Sequence, residues 1–266
     1  MAEVLKLEDR GAVRLTGPDS KSLLQGLITS DIADLKENNA LYAALLTPQG
    51  KFLFEMIIVQ DGADLLLDVE QARKPDLLRR LMMYKLRADV EIVDEPAGVW
   101  ALFDGNTELG VAYADPRHKA MHQRVISDAN PAPDASLLAI EKYEERRIRH
   151  GVPDSSRDMK VEKDFWLETD AERLNGVSFT KGCFVGQELT ARMKHRMTLK
   201  KKLVTIKSDG ADIPAGVDIK TTDGKTAGDV RTSCGPYAIA YFRLEYLDQP
   251  LTANGVPVTV ADHNLN

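Results

Sequence analysis

Apolar and polar residues along this chain follow two periods, and the switches between them mark its elements. Gly11-Ala12-Val13-Arg14-Leu15-Thr16 reads as a strand. Gly17-Pro18-Asp19-Ser20 leads into a helix whose Leu23, Leu24, Leu27 and Ile28 share one face, expected to end near Thr29-Ser30-Asp31. Leu41 to Thr47, Phe52 to Gln60 and Leu65 to Val69 are strand-like runs. The turns Pro48-Gln49-Gly50-Lys51 and Asp61-Gly62 separate them, which is the pattern of an antiparallel meander. Helical spacing returns over Asp76 to Arg87, and Val90 to Val93 is again a strand. Val99 to Phe103, Leu109 to Tyr113 and Arg124 to Ser127 are short strands. This mixture predicts an α+β region with a mainly antiparallel sheet.

Asp128 to Pro133 reads as a linker. Asp134 is placed to cap a helix over Ala135 to His150, closed by Gly151. From Lys201 the texture changes. Leu203 to Lys207, Val217 to Thr221, Ala227 to Thr232, Tyr237 to Tyr246 and Val256 to Val260 are short strands between Gly, Asp and Pro, the pattern of a small all-β barrel or sandwich.

Composition narrows the function classes. The 266 residues allow two or three domains, and a hydrophobic fraction of 43% is ordinary for a globular protein. No apolar run reaches the roughly 18 to 20 residues that span a bilayer. The segment Met1 to Lys6 has neither a signal-peptide core nor an Arg-rich transit pattern. A cytoplasmic protein, or the mature form of an organelle protein, is expected. Cys183 and Cys234 form no CxxC pair or zinc-ligand set, so no resident metal is expected and a cluster held by this chain alone is disfavoured. A net charge of −6 argues against general nucleic-acid coating. Against that background, Arg192 to Lys202 holds six Lys or Arg residues, His195 and no acid. The run is either a solvated surface turn or an anion site for a polyglutamate tail, phosphate or RNA backbone.

The most distinctive stretch is Lys181-Gly182-Cys183-Phe184-Val185-Gly186-Gln187-Glu188. Glycines permit close backbone approach and unusual dihedrals, and a lysine near a thiol favours the thiolate. In an extended segment Lys181 and Cys183 point to the same side. The plainer account is a tight turn with an inert thiol. Other chemistries have weaker support. There is no G-x-G-x-x-G or P-loop. A Cys–His pair would need His118, His122, His150, His195 or His263 near Cys183. Glu144-Glu145 reads as a solvated pair on a charged helix.

Asn175-Gly176-Val177-Ser178-Phe179-Thr180, the cysteine motif and Leu189-Thr190-Ala191-Arg192 together resemble the signature of the YgfZ-type folate-binding proteins, in the superfamily of the glycine-cleavage T-protein, an aminomethyltransferase. Mitochondrial relatives of that family assist iron–sulfur cluster assembly. Leu15 to Asp19, Leu24 to Asp31, Leu46 to Leu53 and Tyr84 to Arg87 resemble further family segments in the same order.

The resemblance implies an α+β fold in a three-lobed ring of the T-protein type with a C-terminal β-barrel. Residues 1–45 with 130–200 would form a discontinuous first lobe carrying the cysteine motif, 46–129 a ferredoxin-like middle lobe, and 201–266 the barrel. It implies tetrahydrofolate or another reduced folate in the central opening. Glu168 would meet the pteridine, and Gly182, Gly186, Gln187 and Glu188 would shape and hold the loop. Cys183, tuned by Lys181, would be the functional thiol. Trp166 and Asp170 depart from the proline and asparagine common in relatives, and Phe54-Glu55 stands where the aminomethyltransferase has an acidic pair. Glu55 reads as a remnant acid or as a strand residue with one exposed face.

The implied function is a folate-dependent accessory factor in assembly or repair of [4Fe–4S] proteins, including radical enzymes that modify tRNA. Its partners would be iron–sulfur assembly proteins and their clients, with transient tRNA or polyglutamate contact through Arg192–Lys202 and no membrane. The compartment would be the bacterial cytoplasm, or the mitochondrial matrix for an organelle form. The alternatives are a tetrahydrofolate-dependent aminomethyltransferase or demethylase, disfavoured by the lost acidic pair, and a tRNA-binding module, disfavoured by overall acidity.

Overall fold

The structure is a computed structural model and describes residues 1–37, 39–196 and 198–261. Its first half is built on one sheet. The strands are β1 (Glu3–Thr16), β2 (Ala40–Leu46), β3 (Phe52–Asp61), β4 (Asp64–Glu70), β5 (Glu91–Phe103), β6 (Val111–Ala114), β7 (Gln123–Ser127) and β8 (Ser136–Leu137). They lie in the order β2-β3-β4-β1-β5-β7-β6, with β8 pairing parallel to the start of β1. The long β1 joins the expected first and middle lobes, because it pairs antiparallel with β4 along one edge and β5 along the other.

This sheet is buried on both faces. Phe52, Ile57 and Val59 pack on one side, and Leu53, Met56 and Ile58 on the other. That double burial explains why Phe52 to Val59 is apolar at every position but Glu55, the mark of a strand covered on two sides. It also corrects the reading of Glu55, whose strand has no exposed face at that point and which is itself buried.

Helices α1 (Ser20–Gln25) and α2 (Lys74–Lys85) flank this sheet. Helix α1 is shorter than its periodicity predicts, because Ile28 bridges to Leu45 and Thr29 donates to the Ala44 carbonyl at 3.0 Å. Helix α3 spans Ile140–Arg149, not Ala135 to His150. The residues before it are extended, with Ser136 donating to Ala2 and Leu138 to Val4, which buries Leu138. Asp134 therefore caps nothing, while Gly151 closes the helix in the left-handed region at φ +62°.

A short 3₁₀ turn, Trp166–Thr169, leads through further turns to helix α4 (Gln187–Arg196). Trp166 is fully buried, tilted against Tyr42 at 5.5 Å and stacked on Phe52 at 6.1 Å. The lead-in Asn175 to Thr180 forms neither helix nor strand.

Six strands close the C-terminal barrel: β9 (Lys201–Lys207), β10 (Asp218–Thr221), β11 (Thr226–Cys234), β12 (Tyr237–Arg243), β13 (Leu251–Ala253) and β14 (Val256–Val260). Helix α3 docks onto β11 and β12. Arg147 donates to Thr232 Oγ1 at 3.1 Å and to Asp158 Oδ2 at 2.7 Å, and Thr232 donates to Asp158 Oδ1 at 2.6 Å. Thr205 Oγ1 donates to the Ile148 carbonyl at 2.8 Å.

Candidate functional site

The cysteine motif is a loop clamped at both ends. Before the thiol, Lys181 is buried, and its ammonium donates to the carbonyls of Gln25, Ile28 and Ser30 at 2.7, 2.8 and 2.9 Å. Those carbonyls belong to the turn that ends α1, where helix geometry leaves acceptors unpaired. Three ammonium protons meet three carbonyls, so the charge is spent inward on the backbone. Burial pushes the Lys181 ammonium down to about 8, and Asp31 pulls it upward. Lys181 thus anchors the loop, and its charge is directed into those carbonyls rather than held for a thiol.

After the thiol, Phe184 is buried in the core and Gly186 packs against the β2–β3 turn. Gly186 has φ +87°, and a Cβ there would stand 2.6 Å from the Thr47 carbonyl oxygen. No other residue type fits that contact. A Cβ on Gly182 would meet nothing within 4 Å, so Gly182 answers to no such contact. Cys183 lies between these clamps and is exposed.

The amide and acid that follow do less than expected for the loop. Gln187 opens α4, its backbone N–H donating to the Phe184 carbonyl at 3.1 Å. Glu188 is exposed and accepts from Arg192 one helical turn later at 3.2 Å. Neither side chain hydrogen-bonds to the loop among the described residues. No histidine is paired with Cys183 among the described residues: His195 lies edge-on to Phe179, and His263 lies outside them. The basic run is divided. Lys194 pairs with Glu172, Lys202 with Asp170 at 2.7 Å, and Lys201 lies over the Tyr241 ring at 5.4 Å. Arg196 and Lys200 make no ion pair among the described residues.

Glu168 sits where the 3₁₀ turn meets the barrel. Its Oε2 accepts from Tyr241 at 2.7 Å and from the Phe165 backbone N–H at 3.3 Å. Burial pushes the Tyr241 phenol upward, and its hydrogen bond to Glu168 adds to the shift. Phe165, Trp166 and Asp170 surround this acid in sequence, and Asp170 takes the left-handed conformation at φ +66° to meet Lys202.

A second constellation escaped the motif reading. Arg10, Glu55, Asp68, Asp115, Arg117 and Arg124 are buried together at the centre of the sheet. Arg10 pairs with Glu55 and, at 2.7 Å, with Asp68. Arg124 reaches Asp68 at 2.5 Å and Asp115 at 3.1 Å, and Arg117 holds Asp115 at 2.6 Å. Tyr113 donates to Asp68 at 2.9 Å and Ser155 to Glu55 at 2.9 Å. Burial alone would raise the Asp68 and Asp115 carboxyls; the neighbouring guanidiniums outweigh it and hold both below the usual carboxylate range. Burial raises the Tyr42 phenol, and nearby Glu55 adds to the rise. The Tyr42 hydroxyl and Glu55 Oε2 are buried without a hydrogen-bond partner among the described residues. The cavity beside Arg10, Arg117, Arg124 and Tyr143 measures about 20 Å³, room for one water. The signal in the sequence was a single acid inside an apolar strand, Glu55 in Phe52 to Val59 and Asp68 in Leu65 to Val69. Glu144 is likewise not solvated but shared between Arg147 and Arg157.

Comparisons with known proteins fit this geometry. The mouse mitochondrial iron–sulfur cluster assembly factor IBA57 is 30% identical over 92% of this chain and 79% of its own length. The chain belongs to the IBA57 family. The human protein of the same name is 29% identical over 96% of the chain and 82% of its own length. Residues 200–264 match the C-terminal β-barrel domain of CAF17, covering the closed barrel seen here. The glycine cleavage system aminomethyltransferase T from Bartonella henselae superposes with a TM-score of 0.81 at 13% identity, over 98% of this chain and 85% of that one. The fold is therefore that of the T-protein. No helix among the described residues is long and apolar enough to cross a membrane.

The clamps set clear expectations for stability. Lys181→Met leaves three carbonyls without donors and should cost about 3 kcal/mol or more in urea unfolding. Gly186→Ala should cost about 1–3 kcal/mol through its positive φ and the Thr47 contact. Gly182→Ala should stay within about 0.5 kcal/mol of the parent.

The two thiols should also separate by reactivity. Cys234 is half-buried, with Sγ 3.5 Å from the Glu141 carbonyl oxygen, and its thiol is pushed upward first by burial and then by Glu145, Glu144 and Glu141. Iodoacetamide at neutral pH should label the exposed Cys183 before Cys234, read by peptide mass spectrometry. Equal labelling rates would show that the clamped loop does not present the thiol.

Proposed function

We propose that this protein acts in iron–sulfur cluster assembly, as the names of its relatives state for them, and that Cys183 is the thiol through which it does so. The observation that carries this reading is the exposed Cys183 on a loop fixed by Lys181 on one side and Gly186 on the other. A thiol presented this way is ready for a partner, since its loop needs no further ordering.

The chemistry of the cargo sets how the thiol works. Iron–sulfur clusters are held by several cysteine thiolates. This chain has two cysteines, and Cys234 is turned toward Glu141 at the end of β11. No group of metal-ligating side chains assembles among the described residues. A cluster met by Cys183 is therefore completed by thiolates of an assembly partner or client. The clients in this reading are [4Fe–4S] enzymes, radical enzymes that modify tRNA among them. The compartment is the cytoplasm in a bacterium and the mitochondrial matrix in a eukaryote.

Complementation tests the role of the thiol. In cells lacking the native gene, Cys183→Ser should fold normally yet fail to restore activity of a cluster-dependent enzyme, whereas Cys234→Ser should restore it. Full rescue by Cys183→Ser would make the thiol structural and end this reading.

As the side chains stand, Glu168 is not open to a reduced folate. Glu168, expected to meet the pteridine, is engaged by Tyr241, and the cavity beside Arg10, Arg117, Arg124 and Tyr143 has room for one water rather than a pterin. No step of the proposed function runs through that group. The aminomethyltransferase alternative fares no better, because Glu55 is closed in by Arg10 and Ser155. Calorimetry with tetrahydrofolate should show no saturable binding by the wild type. Saturable binding that is lost in Glu168→Ala would instead show that Tyr241 yields its place to the pterin.

A further inference from the structure

The end of helix α2 carries a surface that the cysteine loop does not account for. Met82, Met83 and Leu86 are exposed there by 51%, 70% and 87%, within little more than one helical turn. Leu86 ends the helix at φ +46°, a conformation that a branched side chain adopts only under strain. Strain of this kind gathers where a side chain is held for a purpose. A solvated helix end would carry polar residues at these positions.

Beside these residues runs a groove of about 540 Å³ lined by Leu53, Phe54 and Met83, with Arg73, Arg79 and Arg80 against the acids Asp76 and Glu162. The Arg73 guanidinium is fixed in it, donating to the Leu53 carbonyl and lying 4.2 Å from the centre of the Phe54 ring. Arg80, Lys85 and Arg87 make no ion pair among the described residues, and Arg79 meets only the exposed Asp76. Residues 73–87 hold six cations against one acid, in a chain whose net charge is −6. The apolar side chains stand inside this local positive field.

We infer that the groove and the end of α2 form a docking surface for an acidic segment of a partner protein, one that places aliphatic or aromatic side chains on Met82, Met83 and Leu86. Carboxylates of that segment meet Arg79, Arg80, Lys85 and Arg87, and the methionines adapt their shape to its apolar residues. A nucleic acid would satisfy the cations but leave the three exposed apolar side chains in water. Val185, two residues past Cys183, packs against the same cluster as Leu53, Phe54 and Val161. A protein seated in the groove therefore lies on the body that carries the cysteine, although the docking chemistry does not depend on the thiol.

Fluorescence anisotropy tests this with a fluorescein-labelled peptide of repeated Glu-Leu. The comparison probes are a Gln-Leu peptide, a Glu-Ser peptide and a labelled oligouridine. The Glu-Leu peptide should bind saturably, and the Gln-Leu and Glu-Ser peptides should bind about tenfold more weakly or worse. Met83→Ser with Leu86→Ser, and separately Arg79→Glu with Arg80→Glu, should each raise Kd about tenfold or more. These side chains are exposed or half-exposed, so the thermal midpoint should not move and lost binding is not unfolding. Three results would overturn the inference: no saturable binding of the Glu-Leu peptide, an unchanged Kd in both double variants, or tighter binding of oligouridine than of the peptide, which would make the surface a nucleic-acid site.

Discussion

The carboxylate of Asp68, held between Arg10 and Arg124, is the interaction on which the rest of the sheet depends. A bare carboxylate at that depth would be too costly to bury. Two guanidiniums and the Tyr113 hydroxyl make it tolerable, and each guanidinium then needs a second acid. Arg10 finds Glu55 on β3, and Arg124 finds Asp115, which in turn takes Arg117. Alternating charges thus tie β1, β3, β4 and β7 at one level. Hydrophobic packing alone leaves neighbouring strands freer to slip, and a slip of one residue would strand these charges on the wrong face.

The same polar seam runs outward to the barrel. Ser155 contacts Glu55, and three residues later Asp158 meets Arg147 and Thr232. The short segment between α3 and the 3₁₀ turn therefore reports to both the sheet and the barrel. Lys202 and Asp170 make a second tie, and Tyr241 with Glu168 a third. These contacts hold the region before the cysteine loop from the barrel side, while Lys181 holds the loop itself from the α1 side. A T-protein fold can in this way keep its architecture while its acid positions serve packing between its parts. The exposed thiol then stands outside that polar interior.

What the chain determined by itself was local. Period-two and helical patterns placed the meander, α2 and the barrel strands close to where they lie, because burial of alternate or helically spaced residues leaves its trace in the order of residues. The cysteine motif was legible as a turn requiring glycine, and Gly186 is held to that by the Thr47 carbonyl. Tertiary structure decided where the charges point. Lys181 lies two residues from Cys183 yet spends its protons on carbonyls some 150 residues earlier. Glu55 looked like a half-exposed strand residue until both faces of its strand were covered. Residues 135–139 were extended rather than helical because Leu138 pairs with Val4 at the far end of the chain. In each case the deciding partner is distant in sequence. Local pattern records which residues are buried, whereas the partner that makes a buried charge or carbonyl tolerable exists only once the chain has folded.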